Sequence, residues 1–119
     1  KFGKRGQVYV GTYHGIIYLS SDFGASWNQL FRDATSSLIE NLLIDTLSGE
    51  VIYARDGGTF SLSAGGSNLD SLSGEDPNAL AKNSKGHIFL GLSDGYFDKS
   101  TDGGATWIKI RISARAGYV

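Results

Sequence analysis

The feature that most constrains this chain is an internal repeat. Residues 86–107, GHIFLGLSDGYFDKSTDGGATW, lie over residues 6–27, GQVYVGTYHGIIYLSSDFGASW, at a shift of 80 with no gap. Gly86, Gly91, Gly95, Ser100, Asp102, Gly104 and Trp107 fall on Gly6, Gly11, Gly15, Ser20, Asp22, Gly24 and Trp27. A worn copy lies between them. Residues 41–54, NLLIDTLSGEVIYA, match 78–91, NALAKNSKGHIFLG, at a shift of 37. From there Gly58 matches Gly95 and Ser63 matches Ser100, and Gly66 and Leu69 stand in for Gly104 and Trp107 with one residue deleted. Repetition of this kind means one supersecondary unit used several times, each burying its apolar face only against its neighbours.

Each copy reads as four short strands. In the third they fall at roughly 78–83, 87–92, 96–100 and 107–112, where runs of Val, Ile, Tyr and Phe are bounded by Gly, Asp and Ser. The chain has 17 Gly and only 1 Pro, as many tight turns between short strands require. A helix over 36–46 competes locally, because Ser37-x-x-Glu40 fits a capping box and Leu38, Leu42 and Leu43 are helically spaced. The gap-free match to 78–91 favours a strand there. A four-stranded unit of about 40 residues is the size of a β-propeller blade.

The expected fold is therefore all-β and propeller-type, with three consecutive four-stranded antiparallel blades. The blades divide at 1–33, 34–73 and 74–119. The first is expected to lack its innermost strand, because Lys1 falls near the end of that segment. The chain has no Met, not even an initiator, so it is expected to be a processed product or a piece of something longer. Closed propellers use about 4–8 blades, and an open stack leaves faces and strand edges unpaired. Further blades from a parent chain, other copies or another subunit are the expected partners.

The two intact turns are Ser20-Ser21-Asp22-Phe23-Gly24-Ala25-Ser26-Trp27 and Ser100-Thr101-Asp102-Gly103-Gly104-Ala105-Thr106-Trp107. Both fit S/T-x-D-x-G-x-S/T-W. In a hairpin loop of this kind the Asp accepts from nearby N–H and hydroxyl groups, Gly takes a left-handed backbone, and Trp opens the outer strand with its ring buried beside the turn. On these residues the chain resembles the Asp-box (BNR) repeat superfamily, which includes bacterial sialidases, xyloglucan-degrading glycosidases, sortilin-type ectodomains and photosystem II assembly factors. The resemblance covers nearly the whole chain. It implies a structural role for Ser20, Asp22, Gly24, Trp27, Ser100, Asp102, Gly104 and Trp107. It also implies that ligands bind at the opposite end of the blades. That end carries Thr12-Tyr13-His14, Arg55-Asp56-Gly57, Leu92-Ser93-Asp94 and the inter-blade segments Phe31 to Ser37 and Ser71 to Pro77. The ligand-binding candidates are Tyr13, His14, Arg55, Asp56, Ser93 and Asp94.

Other patterns reduce to the repeat. Gly91-Leu92-Ser93-Asp94-Gly95 fits G-x-S-x-G but lies between two strands, not at the strand-to-helix turn a nucleophile elbow needs. Asp98-x-Ser100-x-Asp102-Gly103 resembles the start of a calcium loop, yet Lys109 stands where a bidentate Glu is wanted. His14 and His87 occupy different repeat positions, with no carboxylates at metal-ligand spacing. A sialidase would need an arginine cluster; of Arg5, Arg32, Arg55, Arg111 and Arg115, only Arg55 and Arg32 are placed at the ligand end. A xyloglucanase would need two carboxylates across a cleft; Asp56 and Asp94 sit on equivalent loops of neighbouring blades. The strand aromatics Tyr9, Tyr18, Tyr53, Phe60, Phe89, Tyr96 and Phe97 are expected to pack between blades.

With 11 Lys+Arg against 12 Asp+Glu, the chain has no electrostatic footprint for nucleic acid. No apolar run approaches the roughly 20 residues of a membrane span, and zero cysteines exclude disulfides and thiolate metal sites. No cofactor and no metal site is expected. The sequence thus reads as a non-catalytic structural or binding module, for glycan or protein, of a larger extracellular, envelope or virion-surface assembly. A fragment of a sialidase-like or xyloglucanase-like glycoside hydrolase and an assembly factor for a membrane complex are the alternatives.

Overall fold

The computed structural model describes residues 1, 3–93 and 95–111. Its strands are β1 (Val8–Gly11), β2 (Ile16–Ser20), β3 (Asn28–Arg32), β4 (Asn41–Ile44), β5 (Val51–Arg55), β6 (Gly58–Leu62), β7 (Leu69–Ser73), β8 (Ala79–Lys82), β9 (Ile88–Gly91), β10 (Tyr96–Ser100) and β11 (Ile108–Arg111). A single 3₁₀ turn covers Ala64–Gly66. They form three antiparallel meanders in the orders β1-β2-β3, β4-β5-β6-β7 and β8-β9-β10-β11. The competing helix is absent: Asn41–Ile44 pairs with Val51–Ala54 as a strand. In the three-stranded sheet, Lys1 and Tyr9 exchange both backbone hydrogen bonds. The same exchange joins Ala81 to Phe89 in the third sheet.

The sheets stack face to face, and two clusters fill the seams. Tyr9 and Ile17 of the first sheet meet Val51, Tyr53 and Leu62 of the second, with Phe31 and Phe60 at the margin. Ile52 of the second meets Ile88 and Leu90 of the third, with Leu43, Leu72 and Trp107 alongside. Strand alternation explains how one sheet serves both seams: Val51 and Tyr53 point one way, Ile52 the other. Of the strand aromatics, Tyr9, Tyr53 and Phe60 pack in a seam as expected. Tyr18, Phe89 and Phe97 lie on the two outward faces, where no further sheet covers them among the described residues.

The pairing corrects the reading of the middle copy. Leu62 pairs with Leu69, and Lys99 with Ile108. Counting from these pairs puts Leu62, not Ser63, in the place of Ser100, and keeps Leu69 in the place of Trp107. Gly66 then matches Gly104 with no deletion in that loop, and Ala64 replaces the aspartate. The missing residue lies in the hairpin between β5 and β6, where Arg55 pairs directly with Gly58. A compensating extra residue sits between β4 and β5, since Leu43 pairs with Ile52 where Ala81 pairs with Phe89.

Outer strands β3 and β7 each carry a β-bulge, the pairing skipping Leu30 and Leu72. Both leucines receive the loop glycine of the following sheet. A Cβ on Gly66 would lie 2.7 Å from the Leu30 carbonyl oxygen, and one on Gly104 would lie 2.8 Å from the Leu72 side chain. Glycine is required twice over at Gly104, whose φ is +99°. The Trp107 indole N–H completes this joint by donating to the Leu72 carbonyl at 2.9 Å. Lys82 of β8 clamps the same seam, reaching Asp45 at 2.8 Å and Glu50 at 3.0 Å.

Candidate functional site

A meander places alternate loops at opposite ends. At one end lie the two loops that join β2 to β3 and β10 to β11. Their hydrogen bonds are nearly identical. The Ser20 hydroxyl donates to Asp22 Oδ1 at 2.7 Å and accepts from Gly24 N–H at 2.8 Å. Asp22 then accepts from Ser26 N–H at 2.8 Å and from the Ser26 hydroxyl at 2.5 Å. Ser100, Asp102, Gly104 and Thr106 repeat this with 2.7, 2.8, 2.9 and 2.5 Å. The Ser26 and Thr106 hydroxyls, then their N–H groups, then Ser20 and Ser100 hold both carboxyls at about 2. Every oxygen of Asp22 and Asp102 is thus occupied by its own loop. The tryptophans differ: Trp107 is half-buried, whereas Trp27 is 43 % exposed.

The opposite end carries the ligand candidates. Tyr13 and His14 project from the β1–β2 loop, Tyr13 being 72 % exposed, with their rings edge to face at 5.5 Å. Thr12 closes that loop, its hydroxyl donating to the Ile16 carbonyl and accepting from Ile16 N–H. The connection 33–40 wraps against it through Asp33 N–H to the Gly15 carbonyl and Ile39 N–H to the Thr12 carbonyl. Asp56 and Ser93 are exposed on the β5–β6 and β9–β10 loops. Asp94 lies outside the described residues, so the pair Asp56 and Asp94 has no geometry to report.

Arg55 is not a free arginine. Its Nε donates to Asp33 Oδ2 at 2.8 Å, its Nη1 donates to the Asp56 carbonyl at 2.8 Å, and its guanidinium lies 4.3 Å from the Phe60 ring centre. Asp33 is the buried centre of this network. It also accepts from the Tyr53 hydroxyl at 2.6 Å, the Thr35 hydroxyl at 2.6 Å and Thr35 N–H at 2.9 Å. Burial pushes the Asp33 carboxyl up; the bonds from Thr35, Tyr53 and Arg55 outweigh it and leave the group at about 2. Burial and the Asp33 carboxylate push the Tyr53 hydroxyl up. Asp33 lies in the inter-blade segment noted from sequence, but its role was not foreseen. The local signal was Asp33-x-Thr35, an Asx turn.

A second unforeseen group is acidic. Glu40 is raised by the hydrogen bond its protonated carboxyl donates to Asp76, then by desolvation, then by the charges of Asp76 and Asp56. The two connections that bring Glu40 and Asp76 together are tied by Asn41 Nδ2 donating to the Pro77 carbonyl at 3.0 Å. Glu75 is exposed beside them and paired at 3.4 Å with Lys109. Arg111 also reaches this end, 5.4 Å from the Tyr96 ring, which the sequence reading left out. Among the described residues, no group of three or more His, Asp or Glu side chains is placed to hold a metal ion, and no helix is long and apolar enough to cross a membrane.

This architecture is that of a β-propeller. The chain is similar in structure to an ancestral GH74 enzyme, with a TM-score of 0.74 and 15 % identity, over 94 % of this chain and 17 % of that one. It is likewise similar to YCF48 bound to D1 peptide, with a TM-score of 0.68 and 19 % identity, over 92 % of this chain and 37 % of that one. At such identities the likeness shows the fold alone. The chain spans well under half the length of either structure. No protein-family model and no curated protein matches it.

Proposed function

We propose that this chain is a non-catalytic structural or binding module of a larger propeller, and that it presents an acidic loop end to a protein or glycan partner. Its three blades are assigned to 1–33, 34–73 and 74–119, and the loops at Asp22 and Asp102 act as Asp-boxes in the structural sense. The observation that carries this reading is the Asp33–Arg55 network. Arg55, the arginine of the β5–β6 candidate loop, is neutralised by a buried carboxylate. Around it stand Glu40, Asp56, Glu75 and Asp76, all exposed, a field that repels sialic acid and other carboxylated ligands. The partner is therefore neutral or cationic at the point of contact. A surface-exposed setting outside the cell or in its envelope suits such a module.

The glycoside-hydrolase alternative is weaker. The Glu40 carboxyl is raised, but chiefly through the hydrogen bond it shares with Asp76. Glycosidase carboxyls stand roughly 5 Å or more apart to admit the scissile bond. The likeness to YCF48 keeps an assembly-factor role in view, since that protein is bound to a peptide. The test is a pair of assays on the same preparation. No turnover of a chromogenic sialoside or xyloglucan is expected, together with salt-sensitive binding of a Lys-rich peptide that Asp56→Asn and Glu40→Gln weaken. Turnover abolished by Glu40→Gln or Asp76→Asn would overturn the reading.

A further inference from the structure

We propose that the first seam holds a second binding site, at the opposite end of the blades from the acidic loops, and that its ligand is a small carboxylate with an apolar body. The site is a cleft of about 220 Å³ between the first and second sheets. Lys4, Gln7 and Tyr9 border it on one side and Asp45, in the hairpin between β4 and β5, on the other. Leu19, Leu30 and Ile44 supply an apolar wall.

The second seam shows what this ground looks like when it is filled. By the strand pairing, Tyr9 stands in the place of Ile52, Leu19 of Ser61, Gln7 of Glu50 and Ile44 of Lys82. In the second seam the polar members close on one another. The Ser61 hydroxyl donates to Glu50 at 2.5 Å, and Lys82 reaches Glu50 at 3.0 Å and Asp45 at 2.8 Å. The first seam has no such clamp. An amide, two aliphatic side chains and a phenol stand there instead, and the cleft is open.

Tyr9 marks the site. Its side chain belongs to the core and the residue is 5 % exposed, yet no hydrogen-bond partner reaches its hydroxyl among the described residues. Burial pushes that hydroxyl up, so it stays protonated and able to donate. A Cβ on Gly3 would lie 2.6 Å from the Tyr9 ring edge and 3.0 Å from Gln7 Oε1, which sets the phenol tip beside Gln7 on the cleft. A buried hydroxyl without a partner is uncommon and costs stability, so this one points to a ligand.

The free capacity around the cleft is donating. Gln7 Oε1 already accepts from Lys4 N–H at 3.1 Å, which leaves the amide NH₂. The Lys4 ammonium is exposed at the rim and makes no ion pair among the described residues. Asp45 is engaged at both oxygens: Oδ1 accepts from the Leu47 and Ser48 N–H groups, and Oδ2 from Lys82. A hydroxyl, an amide NH₂ and an ammonium around one opening suit a carboxylate, to which charge-assisted hydrogen bonds are the strong ones. Leu19, Leu30 and Ile44 receive its carbon chain. The volume is below the roughly 300–1,000 Å³ of pockets for drug-sized molecules, so the ligand is short.

Hexanoate is the probe. It is titrated into the isotope-labelled 119-residue chain, and NMR follows the Gln7 side-chain amide and the backbone amides of Gly49 and Gly65, which line the cleft. Saturable shifts confined to that region are expected, with hexanamide, the neutral isostere, bound about tenfold more weakly or worse. Tyr9→Phe removes only a hydroxyl that has no protein partner. Its melting temperature should therefore hold or rise, while hexanoate binding falls about tenfold or more. Lys4→Met should weaken hexanoate and leave hexanamide unchanged. Absence of saturable shifts, equal binding of hexanamide, or hexanoate binding unaltered by Tyr9→Phe or Lys4→Met overturns the proposal. The site is separate from the acidic loop end, so the peptide-binding and turnover assays judge the module reading on their own.

Discussion

Replacing Asp33 by Asn tests whether the candidate arginine is structural. The substitution keeps an acceptor toward Thr35 N–H and its hydroxyl. It turns an NH₂ toward the Tyr53 hydroxyl and Arg55 Nε, two groups that donate to Asp33 Oδ2 at 2.6 and 2.8 Å. Breaking one side of a buried charge pair costs about 3–5 kcal/mol. Arg55 can relax toward solvent, since 14 % of its side chain is exposed, so about 3 kcal/mol is expected. At a urea m-value of about 1–3 kcal/mol/M, the unfolding midpoint falls by about 1–3 M at fixed protein concentration. Arg55→Ala should cost a comparable amount, because it strands the carboxylate. Urea titration followed by near-UV circular dichroism reads both. A loop arginine kept for a ligand would behave as a surface residue, within about 0.5 kcal/mol of wild type. Variants at Asp33 and Arg55 that both fall in that range would refute the argument.

Three other outcomes follow from the loops. Gly104→Ala should destabilise by about 2 kcal/mol or more, since it adds a clash with Leu72 to the left-handed penalty of about 1–2 kcal/mol, whereas Gly24→Ala carries the backbone term alone; thermal melts of the two variants compare them. Phe23, at φ +60° in the place of Gly103, should stabilise by about 0.5–1 kcal/mol when replaced by Gly. Asp22, Asp33 and Asp102 titrate at about 2 in the folded chain, below the ordinary 3.8. Their contribution is therefore fully present above about pH 4 and is lost as pH falls toward 2, so the melting temperature should drop over that window and Asp22→Asn should flatten the drop.

The fold was largely legible because the shift of 80 repeats every residue that a tight turn needs, and β1, β2, β9 and β10 obey it residue for residue, while β3 carries a bulge at Leu30 that β11 lacks. The middle copy was legible in outline only. Two compensating length changes, in the 45–50 and 55–58 hairpins, displace β5 against its partners, and a sequence match cannot distinguish these from one deletion in the loop beyond. The candidate end was found through topology, since a meander must alternate its loops. Its chemistry was not. Arg55 looked available because Asp33 is 22 residues away in sequence, and the Glu40–Asp76 contact spans two connections with no common motif. Trp27 and Trp107 were indistinguishable in sequence, because what separates them is the presence of a preceding blade.

That difference gives the most direct test of the account, whose centre is an unclosed stack with a joint waiting at Trp27. In a Trp107→Phe background, Trp27 is the single tryptophan, and iodide quenching of its fluorescence reports whether the joint is covered. Strong quenching of Trp27 is expected in a chain that scatters as a single copy, because its ring lies open beside Val10 and Tyr18. Protection of Trp27 in a chain that scatters as a single copy would contradict the account.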